Sequence, residues 1–170
     1  MTFFKKQAFG FWLSLLSIIA LVAGYVIYSD VIVAGDALFI ASGSEFFYDS
    51  SLAMYKTMNS TVQTMAIAAL ACMVISVVLG QAMSKPVKVL EVIVGLLRIA
   101  VPALIMILVL TFVYGSLTGL GWTFFSNAEL QIYPEAVAVG KNVIVAIGLF
   151  AGALVLSLFG AFFNVTKQAK

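Results

Sequence analysis

Arg98 lies in an apolar run, ten residues beyond Lys88. At a helical rise of about 1.5 Å per residue, that is roughly 15 Å along an axis. A charge that deep in hydrocarbon costs from about 2.5 kcal/mol upward and marks a partner or a function. Pro102, four residues on, has no N–H for the carbonyl of Arg98, which frees a backbone acceptor beside the guanidinium. Counting inward from flanking lysines puts three hydroxyls at a similar depth: Ser17 is eleven residues from Lys6, Ser76 nine from Lys85, and Ser157 ten from Lys167. Such a layer suits an anionic or amphiphilic ligand, or a lock between helices. The competing expectation is structural. Lys85, Lys88, Glu91, Gly95 and Arg98 share one helical face, so this stretch also reads as an interfacial helix from which Arg98 snorkels to the headgroups.

The remaining chemistry is narrow. Without histidine, no side chain has an unperturbed pKa near neutrality, and His-ligated haem and metal sites fall away. The single cysteine, Cys72, forms no intramolecular disulfide. No serine has an activating base beside it, as a nucleophile requires. No Gly-rich phosphate cradle or nucleotide-binding sequence is present, and the basic residues are too few and dispersed for nucleic acid. The expectation is a protein that is not an enzyme, with no cofactor, no metal, and no nucleotide or nucleic-acid partner.

Composition says what must position these residues. The chain has 170 residues, 64% hydrophobic and 9% charged, against about 45–50% and about 25% in soluble domains. Its mean hydropathy is +1.17, which predicts one integral membrane domain over 1–170. Four apolar runs, at about 8–28, 62–83, 89–117 and 143–163, are each near the roughly 20 residues of a crossing helix. They neither alternate nor stop at about ten residues, as barrel strands do. The fold class expected is all-α: an antiparallel four-transmembrane-helix bundle. The first run exceeds the roughly 7–15 apolar residues of a cleaved signal peptide and reads as an uncleaved anchor.

Charge placement gives the orientation. Lys5, Lys6, Lys85, Lys88, Lys167 and Lys170 flank the spans at one side. The two long connections, 29–61 and 118–142, carry only Lys56 and Lys141 against Asp30, Asp36, Glu45, Asp49, Glu129 and Glu135. The positive-inside rule then predicts a multi-pass protein of the cell membrane, with both termini and the turn at 84–88 cytoplasmic and both connections outside.

Small residues are the expected packing surfaces, because lipid-embedded helices associate through close contact rather than hydrophobic exclusion. Gly148, Gly152 and Gly160 mark span four; Cys72, Ser76 and Gly80 mark span two; Gly10, Ser14, Ser17 and Gly24 mark span one. Gly148 and Gly152 are read chiefly as packing within the bundle, with an interface to another chain as the lesser reading. The turn around Pro86 brings Glu91 opposite Gln81. In the first outer connection, Val31–Ala34 and Ala37–Ala41 around Gly35-Asp36 predict a β-hairpin, and Glu45–Met58 a short helix that presents Phe46 and Phe47. Gly119–Phe125 and Ala128–Tyr133 predict a second hairpin, giving a small outer β-layer. Trp122, Phe124 and Phe125 are candidates for interfacial anchoring or partner contact. Asn59-Ser60-Thr61 matches the glycosylation sequon but sits close against span two.

Four spans, a long first outer connection, a tight inner turn and a shorter second outer connection resemble the claudin-like tetraspan architecture in topology. The paired loop cysteines and Trp-Leu-Trp signature of claudins are missing, so neither junction formation nor ion pores carries over. The function expected is that of a non-catalytic accessory, scaffold or assembly subunit, contacting the bilayer and another membrane protein or a second copy of itself. The alternative is a small oligomeric transporter or channel using the layer around Arg98. Four spans rarely enclose a pathway alone, and coupled carriers generally need acids or histidines within the membrane.

Overall fold

The structure, a computed structural model, describes residues 7–33, 53–82, 88–125 and 134–165. It contains four helices: α1 (Phe9–Val33), α2 (Ala53–Ala82), α3 (Lys88–Phe124) and α4 (Pro134–Ala161). All four are long and apolar enough to cross a membrane, over Phe9–Val31, Asn59–Ala82, Lys88–Leu117 and Val137–Ala161. Pro134 opens α4 at the helix-start position, where its missing N–H would have no partner in any case.

The helices outrun the expected spans, and the difference corrects two expectations. Val31-Ile32-Val33 continues α1, and Gly119-Leu120-Gly121-Trp122-Thr123-Phe124 continues α3; neither is a strand. The described residues contain no β-strand, and the other halves of both hairpins, with 45–52 of the expected short helix, lie outside them. In α1 the cause is packing: Tyr28 and Val31 are both buried on the face that carries Leu21, so the helical period outweighs β-branched preference. In α3 the two glycines do not end the helix, and its continuation buries Thr123 and sets Phe124 against Gly140 of α4. The expected lead-in to span two is helical from Ala53 and runs straight into it.

The helices form an antiparallel ring in the order α1–α2–α3–α4, with α4 closing against α1. The α1/α4 and α2/α3 seams are the most extensive and α1/α2 the slightest. The inward face of each helix repeats every three or four residues: Ser17, Leu21, Gly24 and Tyr28 on α1; Val62, Ala66, Ala69, Met73 and Ser76 on α2; Val101, Ile105, Leu108 and Phe112 on α3; Val143, Ala146, Phe150, Ala153 and Ser157 on α4. The outward faces are equally apolar, with Ile19, Val26, Ile67, Val78, Leu96, Ile99, Leu110 and Val155 exposed. Apolar surface inside and out is the mark of a helix packed in lipid or in a larger protein.

Candidate functional site

Arg98 sits beside the end of α4. One register runs along the α3/α4 seam: Phe124 packs where a Cβ on Gly140 would fall, Phe112 meets Phe150 edge-on at 5.9 Å, and Arg98 meets Gly160 and Phe163. Arg98 is therefore level with the close of the α4 span rather than with its middle. The last carbonyls of a helix have no intrahelical partner and concentrate the negative end of its dipole. Here the chain tightens as it leaves the helix, with the Phe162 amide donating to the Phe159 carbonyl at 3.1 Å and the Phe163 amide to that of Gly160 at 3.2 Å. Nη2 of Arg98 donates to the carbonyls of Gly160 and Phe163. The half-buried arginine thus caps α4 with charge-assisted bonds, the stronger kind.

The segment after α4 then crosses the end of the bundle at which α1 begins and α4 closes. The Ala8 amide donates to the Val165 carbonyl at 3.0 Å, and the Val165 side chain lies 3.4 Å from where a Cβ on Gly80 would stand. Gly10 lets α1 come close: a Cβ there would fall on the Phe163 carbonyl and 2.7 Å from that of Asn164. Beside this strap, the buried Gln7 and the half-buried Gln81 exchange reciprocal amide hydrogen bonds, one of them at 3.1 Å. Gln81 thus pairs with Gln7 and not with Glu91, which is exposed. The physical reason is chemical fit: an amide both donates and accepts, so two glutamines satisfy one another.

The three hydroxyls do not converge on the guanidinium. Ser17 donates across the α1/α4 seam to the Ala153 carbonyl at 2.8 Å. Ser76 and Ser157 bond the carbonyls of Met73 and Leu154 in their own helices, at 2.9 and 2.8 Å. All three are buried, but their protons go to backbone acceptors.

The small-residue stripes divide. Gly160 faces Leu13 and Ser14 of α1, and Gly24 faces the Phe150 ring at 2.9 Å from an added Cβ. Ser76 and Gly80 are buried and Cys72 is half-buried. Gly148 and Gly152 point elsewhere: a Cβ on either would meet nothing within 4 Å among the described residues, and Gly148 is exposed. They do not pack within this bundle, because Ala146, Phe150 and Ala153 occupy the inward face of α4.

At the opposite end, where the two long connections leave, an aromatic cluster holds the helices. The Tyr28 ring meets Phe112 edge-on at 5.2 Å and lies 6.4 Å from Phe150. Its hydroxyl donates to Oδ1 of Asn59 on α2. This occupies the sequon asparagine with a packing bond inside a helix. Of the outer aromatics, Phe124 packs against Gly140 and Phe125 is 87% exposed, while Phe46 and Phe47 lie outside the described residues, and of Trp122 only the backbone, in α3, is described. Among the described residues no three His, Cys, Asp or Glu side chains gather to hold a metal. Gln7 and Tyr28 carry much of this architecture and have no signal in the sequence, whereas Gly10, expected as a packing residue from its spacing to Ser14 and Ser17, stands at the closest approach of α1 to the strap. No family model, curated protein or solved structure matches the chain.

Proposed function

We propose that the chain is a multi-pass protein of the cell membrane, with both termini cytoplasmic, that acts without catalysis as an accessory or assembly subunit of a larger membrane complex. One observation carries this reading. On α4, Val145, Gly148, Gly152 and Val155 form a strip on the outer face, with open space over both glycines. Lipid tails are as apolar as leucine, so helices associate in membranes where small residues let backbones approach. The inward face of α4 is already filled by its own bundle, which leaves this strip for a helix of another chain. The orientation rests on the lysines flanking the end that carries the chain termini and on the acids of the long connections.

The test is purification of the full chain in mild detergent with mass spectrometry of what accompanies it. A defined membrane-protein partner, lost on Gly148→Leu with Gly152→Leu while the chain stays folded, is the expected result. Recovery of one species alone, for both forms, would overturn the reading.

A further inference from the structure

Arg98 has more donors than α4 uses. Nη2 donates to Gly160 and Phe163, while Nε and Nη1 meet no acceptor and no carboxylate among the described residues. Those two nitrogens hold three of the five N–H groups of a guanidinium. The end of α4 contributes roughly half a negative charge, so the cation is only partly offset. Glu91 does not supply the rest: it is exposed and seven residues away, a rise of about 10 Å along α3. The place is also specific. Arg98 lies level with the close of the α4 span, which ends at Ala161, where a crossing helix meets headgroups. One turn before it, Gly95 leaves space in which an added Cβ meets nothing within 4 Å. On the other side, Ile99, Ala103, Met106 and Leu110 form an exposed apolar stripe that climbs α3 from the level of Arg98.

We propose that Arg98 holds the phosphodiester group of a membrane glycerophospholipid. A phosphate oxygen accepts from Nη1 in the notch over Gly95, and the acyl chains follow the Ile99–Leu110 stripe. Phosphate, rather than a carbonyl or hydroxyl, is selected because among the described residues the guanidinium meets no counter-charge, and phosphate matches it in charge as well as in acceptors. The inference rests on the membrane placement proposed above and not on the accessory role.

Native mass spectrometry of the full chain in detergent tests it, with phosphatidylglycerol, diacylglycerol of the same acyl chains, and inorganic phosphate as probes. The expected result is retention of the phospholipid at least tenfold above diacylglycerol, with inorganic phosphate neither retained nor competing at equal concentration. Arg98→Gln, which keeps an amide donor for the α4 carbonyls, is expected to abolish that preference, and Arg98→Lys to keep part of it. Should Arg98→Gln not fold, Gly95→Phe fills the notch without touching the α4 cap and is expected to lower phospholipid retention severalfold. Equal retention of phospholipid and diacylglycerol overturns the site while leaving the membrane placement intact. Inorganic phosphate competing at equal concentration overturns the lipid assignment. An unchanged preference in folded Arg98→Gln or Gly95→Phe overturns the site, and a chain that stays monodisperse in water without detergent overturns placement and site together.

Discussion

The two ends of the bundle are held by different means. At the end carrying the chain termini, the holding groups are backbone carbonyls and amides, approached through Gly10 and Gly80 and completed by Arg98, Gln7 and Gln81. At the other end three rings, Tyr28, Phe112 and Phe150, meet, with a side-chain bond from Tyr28 to Asn59 joining α1 to α2. The difference follows from where helices stop. α1 begins at Phe9 and α4 ends at Ala161, so the terminal end contains orphan backbone groups that must find partners. At Tyr28, Asn59, Phe112 and Phe150 every helix is still running. Its backbone is internally satisfied, and contact there is left to side chains.

That contrast can be broken from either end. Phe112→Ala removes the ring common to two edge-on contacts and is expected to cost about 3–5 kcal/mol, read as unfolding in mixed detergent micelles followed by circular dichroism. At the terminal end, Gly10→Ala drives a methyl into the carbonyls of Phe163 and Asn164, backbone that cannot rotate away. Its expected cost is about 1–3 kcal/mol, and hydrogen exchange should rise first at Ala8 and at the last turn of α4. If exchange rises instead around Tyr28 and Asn59, the two ends are one cooperative unit and the division is wrong. Tyr28→Phe with Asn59→Ala, taken as a double-mutant cycle, isolates the bond that joins α1 to α2 at the loop end. A coupling of about 0.6 kcal/mol, and no more than about 1.7, is expected for such a bond between membrane helices. Gly148→Ala carries the smallest packing effect: the methyl enters open space, so stability should not fall and should rise by at most the roughly 0.5–1 kcal/mol by which alanine exceeds glycine inside a helix, whereas Gly24→Ala must displace the Phe150 ring.

Much of the fold was legible because apolar runs of this length leave few choices. The four apolar runs coincide with the four helices, and the antiparallel pairing of α2 and α3 follows from the few residues, 83–87, that separate them in the sequence. The ends of the helices were harder. Val31–Val33 and Gly119–Phe124 carry strand and loop signals of ordinary strength, but local preference loses to burial of Tyr28 and Val31 and to the packing of Thr123 and Phe124. Of the site, Arg98 was legible as a charge out of place, whereas its role as the cap of α4 was not. That role needs Gly160 and Phe163, more than sixty residues away, which no local spacing relates to it. The pairing of Gln7 with Gln81 is illegible for the same reason, since seventy-four residues separate them and Glu91 lies nearer in the sequence.

The sequence by itself determined that the chain forms long apolar helices and where they fall, because an apolar run of such length must satisfy its backbone within itself. It did not determine which face of each helix turns inward. In a soluble helix the polar stripe answers that question, but here both faces are apolar, and lipid and protein interior offer side chains nearly the same solvent. Shape decides instead, and shape exists only once neighbours are in place. Ala146, Ala153 and Gly160 fit against other helices of the bundle, while Gly148 and Gly152, equally small and on the same helix, are left facing out.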